Sequence, residues 1–343
     1  MKRIKTALVG FGSVGEKIHA PLIRHCPGLE LVAVVERNGS KSKDKYPELE
    51  VYRSIESLLE SRVADLVVIV TPNEVHFPQA KLALETGHHV VVDKPVTVQS
   101  SEARELKRLA QKHQRLLSVF QNRRWDGDFQ TVGQIIHDET LGRIVHFESH
   151  FDRFRPHLVN NWREKDLPGS GITYDLGTHL IDQAVVLFGK PDWVYADILK
   201  QRTEAVADDF FDITLMYEGL KVRLTASVMV NAPLPRFLVL GEKGSYSKYG
   251  LDVQEKAMKA GLPPSGEDWG LEPQDSWGRL YLENETKPYP TLRGDYRLFY
   301  QNIADAILGK TTLQVKMEEA ILVLEIIEAA FKSQQEGRRV KLG

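Results

Sequence analysis

The sequence predicts an α/β protein in two domains: a doubly wound parallel sheet over residues 1–122, then an α+β domain with an open, mainly antiparallel sheet over residues 123–343. Three observations carry this prediction. Apolar runs at Ile4–Val9, Leu31–Val35, Leu66–Val70, Val90–Val92 and Leu116–Phe120 alternate with longer amphipathic stretches, as strands do when right-handed crossovers place helices on both faces of a sheet. Beyond Asn122 longer strands stand at Ile144–Phe151, Trp193–Leu199, Phe211–Tyr217, Lys221–Met229 and Phe237–Leu240, some joined by turns as short as Glu218-Gly219. That is the mark of antiparallel pairing. The length of 343 residues also exceeds the roughly 100–200 residues of one domain.

The helices follow in order. Ser54 starts a short helix through Leu59, and Ser100 or Ser101 starts another that reaches His113. In the second domain helices are expected over 127–139, 173–188, 296–308 and 316–335, and residues 262–275, rich in Pro, Gly and acidic side chains, form a loop. Hydrophobic residues make up 42% and charged residues 27%, with a net charge of −2. This is an ordinary soluble composition, with no positive field to draw nucleic acid or an anionic membrane. Cys26 is the only cysteine, so an intrachain disulfide is excluded and a reducing, cytoplasmic setting is expected. Lys2, Arg3 and Lys5 before the apolar Thr6–Gly15 imitate a secretory leader, but Glu16, Lys17 and His19 end the run too early. No stretch approaches the roughly 18 apolar residues of a membrane-spanning helix.

Gly10-Phe11-Gly12-Ser13-Val14-Gly15 lies between the first strand and a helix that ends near Cys26. The placement fits a dinucleotide-binding fingerprint, with Gly10 for the turn, Gly12 for close approach of a pyrophosphate and Gly15 for packing of helix on strand. The amino end of the helix would hold the phosphates. Glu36 stands at the end of the second strand, where a carboxylate hydrogen-bonds ribose hydroxyls and repels the extra phosphate of NADP. Arg37 follows it and either binds that phosphate or stacks on adenine. NAD or NADP is therefore expected, with a lean to NAD. Thr71-Pro72-Asn73 ends another strand at the same edge and is expected to face the nicotinamide ribose. His76, nearby, contacts cofactor or substrate, or merely begins a helix.

Lys94 is the most pointed candidate for chemistry. In His89-Val90-Val91-Val92-Asp93-Lys94-Pro95 the valine run is that of a strand covered on both faces, and ligands bind just beyond the carboxyl ends of such strands. Pro95 fixes its own φ and biases Lys94 towards an extended backbone. The alternative is a surface lysine in a strand–helix loop. A second cluster spans residues 168–188, where Asp175, His179 and Asp182 fall at i, i+4 and i+7 on one helix face. A histidine so flanked suits a general base, because a nearby carboxylate fixes its tautomer. A polar seam and a metal site are the alternatives, the latter poor because no Cys or second His completes the set. Gly169, Gly171 and Gly177 thin the backbone where a ligand approaches. Arg124 and Trp125, at the expected hinge, are candidates for lining a substrate cleft, and Arg155 and Trp162 for its wall.

Together, Gly10–Gly15, Thr71-Pro72-Asn73, Asp93-Lys94-Pro95 and Asp175-Leu176-Gly177-Thr178-His179 resemble the Gfo/Idh/MocA oxidoreductase family over essentially the whole chain. Gln121–Asp126, Phe151–Arg155, Trp162-Arg163-Glu164 and Lys248-Tyr249-Gly250 resemble its scyllo-inositol dehydrogenase-like bacterial branch. The resemblance implies a Rossmann domain and a second domain whose open sheet makes homodimers or homotetramers. It further implies hydride transfer between nicotinamide and a hydroxyl of a cyclic polyol or sugar. Residue by residue, it implies that Lys94 lies beside the nicotinamide and the reacting oxygen, that Asp175 holds the substrate, and that His179 moves the proton. It also implies a cis bond between Lys94 and Pro95. Asp93 is shorter by one methylene than the family's usual Glu, which puts its part in orienting the lysine in question. Relatives without turnover, and others that return the hydride to the substrate, leave a cofactor-bound sensor and a cofactor-dependent glycosidase or lyase as alternatives.

Overall fold

The computed structural model describes residues 3–159 and 161–343, in two compact units. The first holds six parallel strands, β1 (Ile4–Val9), β2 (Leu29–Val35), β3 (Glu50–Tyr52), β4 (Leu66–Ile69), β5 (His89–Asp93) and β6 (Leu117–Phe120), in the order β3-β2-β1-β4-β5-β6. Every residue of β4 and β6 is buried, as are Val90, Val91 and Val92 of β5, which is why these strands read as unbroken apolar runs. The crossovers carry α1 (Ala20–Arg24), α2 (Lys41–Lys45), α3 (Ile55–Ser61), α4 (His76–Glu85) and α5 (Ser100–Lys112). Ser54 caps α3, its Oγ accepting from the Ser57 N–H at 3.2 Å. A reciprocal box starts α5 in place of a serine cap: the Gln99 side chain accepts from the backbone of Glu102, and the Gln99 N–H donates to Glu102 Oε2 at 3.3 Å. Strand order reverses between β1 and β4, and ligands bind at the carboxyl edge of such a switch.

The second unit carries nine strands, β7 (Ile144–His150), β8 (Trp193–Leu199), β9 (Phe210–Tyr217), β10 (Leu220–Ser227), β11 (Phe237–Gly241), β12 (Gly244–Lys248), β13 (Gly278–Leu282), β14 (Glu285–Tyr289) and β15 (Val340–Lys341). Their order is β14-β13-β12-β11-β7-β10-β9-β8-β15, with β7 and β10 parallel and the other pairs antiparallel. Burial alternates along β8, with Val194, Ala196 and Ile198 inside and Trp193, Asp197 and Leu199 outside, the signature of a sheet packed on one face. Helices α6 (Gly127–His137) and α7 (Thr178–Phe188) supply Val132, Ile135, Leu180 and Ile181 to a core shared with Phe147, Phe211, Val222 and Phe237 of the strands.

The first unit is not one contiguous segment. Besides residues 1–125 it contains 254–269 and 295–320, which bring most of α8 (Val253–Lys259), all of α9 (Arg297–Ile307) and the start of α10 (Met317–Glu336). The physical reason is an aromatic cluster: Phe299 of α9 meets Phe120 edge-on at 5.0 Å and Trp125 at 5.7 Å. The Ser118 hydroxyl also donates to the Val315 carbonyl at 3.0 Å. The segment expected as a loop over 262–275 ends in a short 3₁₀ turn at Gln274–Ser276.

Candidate functional site

At the end of β1 three glycines have three different reasons to be glycine. Gly10 has φ +104°, and a Cβ there would lie 2.5 Å from the Val70 carbonyl oxygen at the end of β4. At Gly15 a Cβ would lie 2.2 Å from the Gly10 carbonyl, so the helix is held directly on the turn. Gly12 is exposed, and nothing of the protein lies within 4 Å of where its Cβ would be. The fold itself therefore does not require a glycine at 12. The helical run starts at Ser13, passes through a π turn at Gly15–His19 and continues as α1. Ser13 is exposed beside Gly12, Val14 is half-buried, and Phe11 turns inward, edge-on to Tyr46 at 6.3 Å.

Glu36 follows β2 as expected, but its carboxylate is engaged by the chain. Oε1 accepts from the Lys41 N–H at 3.1 Å, and Oε2 from the Ser42 N–H at 3.0 Å and the Ser42 hydroxyl at 2.7 Å. It thus caps α2. Oε1 retains one lone pair for a ribose hydroxyl. Arg37 beside it is exposed.

The turns after β4 and β5 are tied to each other by His76. Its Nε2 stands 2.8 Å from the Thr71 carbonyl and its Nδ1 2.8 Å from the Pro95 carbonyl. The ring is fully buried, and that burial holds its pKa below the usual histidine value against the pull of the Pro95 carbonyl. The ring has no exposed surface and braces the two turns, in keeping with the second of the two readings of His76, a histidine that begins a helix. Thr71 donates its hydroxyl to Gln79 at 2.7 Å, Pro72 is extended, and Asn73 is buried at the start of a 3₁₀ turn.

Lys94 directly follows β5 and its bond to Pro95 is cis. The Lys94 N–H donates to Asp93 Oδ1 at 2.9 Å. Burial pushes the Asp93 carboxyl up, but the facing His19 ring, Lys94 and His76 outweigh it and hold the group below the usual aspartate value. The shortened carboxylate thus bonds the main chain of Lys94.

In the second unit the helix over 173–188 begins as a π turn, Thr173–Gly177, carrying Asp175, and becomes α7 at Thr178 with His179 in its first turn. Such turns occur frequently at functional sites. Asp208 Oδ2 fixes the start, accepting from the Thr173 N–H at 2.8 Å and hydroxyl at 2.7 Å, while burial raises the Asp208 pKa. Gly171 has φ +82°, and a Cβ there would lie 1.9 Å from Asp208 Oδ1. Its smallness admits that contact, and Gly171 also lines the cavity that holds Asp175. His179 is buried at 7% exposure and Asp182 at 2%.

Asp175 and Arg155 line one small cavity of about 50 Å³, together with Arg153, Arg163, Glu164 and Arg202. Arg163 Nε stands 3.2 Å from Asp175 Oδ1 and Arg153 4.0 Å from Oδ2. Trp162 holds Arg163 by its ring face, at 4.5 Å. Glu164 and Asp209 bind the buried Arg202, each at 2.9 Å. Of the arginines flanking Asp175, Arg163 belongs to the aromatic-basic pair Trp162-Arg163 that the sequence points to for the cleft wall, whereas Arg153 is marked only as part of Phe151–Arg155. Arg124 and Trp125 have structural partners: Arg124 pairs with Glu319 at 2.7 Å, and Trp125, 6% exposed, packs on Phe299.

Comparison with known proteins gives a consistent result. Residues 4–121 match the NAD-binding Rossmann fold and residues 134–342 the C-terminal alpha/beta domain of an oxidoreductase family, GFO_IDH_MocA. The chain is 44% identical over 334 residues to the oxidoreductase YdgJ of Escherichia coli (strain K12), covering 96% of each. It is 35% identical over 343 residues to the scyllo-inositol 2-dehydrogenase (NADP(+)) IolW of Bacillus subtilis (strain 168), covering 99% of this chain and 96% of the relative. Among solved structures, the oxidoreductase yvaA of Bacillus subtilis superposes with a TM-score of 0.96 at 35% identity, covering 100% and 99% of the two chains. An oxidoreductase of Klebsiella pneumoniae does so at 0.92 with 44% identity, covering 99% and 95%.

Proposed function

The chain belongs to the Gfo/Idh/MocA oxidoreductase family, and from that membership we propose that it is a dehydrogenase of a cyclic polyol or sugar, oxidising a CH–OH group with NAD or NADP. One observation supports it above the rest: the glycine turn at the β1–β4 switch, with an open face at Gly12, shares its sheet edge with Lys94. Gly10, Phe11, Gly12, Ser13, Val14 and Gly15 would hold the pyrophosphate, Glu36 and Arg37 the adenosine end, and Thr71, Pro72, Asn73, Asp93, Lys94 and Pro95 the nicotinamide end. A bound nicotinamide cofactor supplies the hydride acceptor.

The chain's own residues do the rest. His179 takes the hydroxyl proton as general base. The Lys94 ammonium stabilises negative charge as it develops on the same oxygen, a term that weighs most where water is excluded. Asp175, already flanked by Arg163 and Arg153, accepts hydrogen bonds from neighbouring hydroxyls; a site built this way rejects analogues that lack them. Arg155 and Trp162 complete the substrate wall in this proposal. The engaged Glu36 side chain keeps one acceptor site for a ribose hydroxyl, which favours NAD; the name of the Bacillus relative points to NADP. Titrating the protein with NADH and NADPH separately decides between them, and tighter NADPH binding defeats the Glu36 argument. The catalytic assignment is tested by Lys94→Ala, which is expected to abolish most turnover; wild-type turnover in that variant refutes it.

A further inference from the structure

Two buried polar groups in the first unit, next to Asp93, have no part in the chemistry above. Tyr300 of α9 and His19 of the fingerprint helix are both 0% exposed. The Tyr300 hydroxyl lies 2.6 Å from His19 Nδ1, and His19 Nε2 faces Asp93 Oδ1 at 3.8 Å. That distance is beyond a hydrogen bond and within reach of a charge. The same Asp93 Oδ1 accepts the Lys94 N–H at 2.9 Å. Phe120 closes the third side, its ring 4.2 Å from the imidazole and 5.7 Å from the phenol. The other titratable groups facing this line are Lys94 and His76 around Asp93, and Cys26 near Tyr300.

We propose that Tyr300 and His19 are positioning residues that set Lys94 through Asp93. The Tyr300 hydroxyl donates to Nδ1, which places the ring's own proton on Nε2, directed at Asp93. Asp93 is thereby held as a carboxylate against the Lys94 turn. An anion so placed favours the ammonium form of Lys94. The arrangement also gives this chain's shorter carboxylate a partner, with His19 facing it at 3.8 Å.

The proposal rests on the reading of Lys94 as an ammonium beside the reacting oxygen, and its test separates the two. In protein with isotope-labelled lysine, the Lys94 resonance is identified by its loss in Lys94→Arg and titrated in wild type, Tyr300→Phe, His19→Gln and the double variant. Both single variants are expected to lower the Lys94 midpoint by about one unit, equivalent to a tenfold change in its protonation equilibrium. The double variant should go no further than the larger single, because the groups act in series. The high-pH limb of kcat should move down with the midpoint, while cofactor affinity stays unchanged. Tyr300→Phe removes one oxygen from a packed ring and keeps the test usable should His19→Gln not fold. An unmoved midpoint in folded Tyr300→Phe overturns the proposal, as do fully additive shifts. Full turnover in Lys94→Ala, with the midpoint shifts intact, would instead remove the catalytic reading and leave the relay standing.

Discussion

His179 and Asp175 illustrate what a residue's surroundings add to its type. Both were visible in the sequence as an i, i+4 pair, yet the helix that carries them starts as a π turn. The arginines that flank Asp175 come from outside that helix. Replacing His179 with Ala should lower kcat at least about a hundredfold, the low end for a positioned acid–base group, with the thermal midpoint little changed. Steady-state kinetics on an identified substrate measure this, and a loss confined to KM would assign His179 to binding instead. Asp175→Asn removes the charge while keeping the shape. It leaves Arg163 facing a neutral amide, so KM for the polyol is expected to rise more than kcat falls.

The glycine turn offers the cleanest contrast among the elements. A Cβ at Gly15 collides with the Gly10 carbonyl, whereas one at Gly12 meets nothing of the protein. Gly15→Ala should therefore unfold at lower denaturant, by more than the ~1 kcal/mol typical of point mutants. Gly12→Ala should keep wild-type stability and lose cofactor affinity. Equal stabilities for the two variants would contradict the geometry.

Strand β5 carries a pH dependence at its start. His89 Nδ1 accepts from the Leu116 N–H at 3.0 Å, and burial, helped by Arg115, lowers its pKa to about 4. The folded pKa lies below the unfolded value of about 6.5, so the unfolded chain binds the proton first and stability falls as pH drops from about 6.5 to about 4. Denaturant midpoints across that window should show a shallower acid slope in His89→Gln than in wild type; parallel slopes would exclude His89 as the source.

Which elements were legible follows from their physics. Strands β1, β4, β5 and β8 announced themselves through continuous or alternating burial. Strands β13 and β14 did not, because all of β14 but Tyr289 is exposed and its run includes Pro288; no apolar face marks it. Strand β3 has only three residues and none fully buried. At the site, Lys94 and the glycine turn were local signals. The partners Tyr300 and His19 lie 281 positions apart, and no period in the chain joins them.

At the scale of the whole molecule the discontinuous first unit is the main departure from a simple division at residue 122. Segments 254–269 and 295–320 are integral to the cofactor-binding unit, so residues 1–125 expressed alone lack α9 and its contacts to Phe120 and Trp125. Such a fragment should be poorly folded, and circular dichroism melting would show it; a cooperative transition at the wild-type temperature would contradict this. We propose, too, that the open face of the nine-stranded sheet pairs copies of this chain into a homodimer or homotetramer, a state that sedimentation reads directly. No helix among the described residues is long and apolar enough to cross a membrane, and a cytoplasmic setting remains our proposal from the single cysteine.

The most direct test of the central claim is nicotinamide absorbance on mixing the protein and oxidised cofactor with a panel of inositols and aldoses. A polyol or sugar dehydrogenase reduces cofactor in proportion to substrate consumed, and Lys94→Ala and His179→Ala abolish the signal. Substrate converted without net cofactor reduction would identify a glycosidase or lyase, and bound cofactor with no conversion across the panel would identify a sensor; either result contradicts the account.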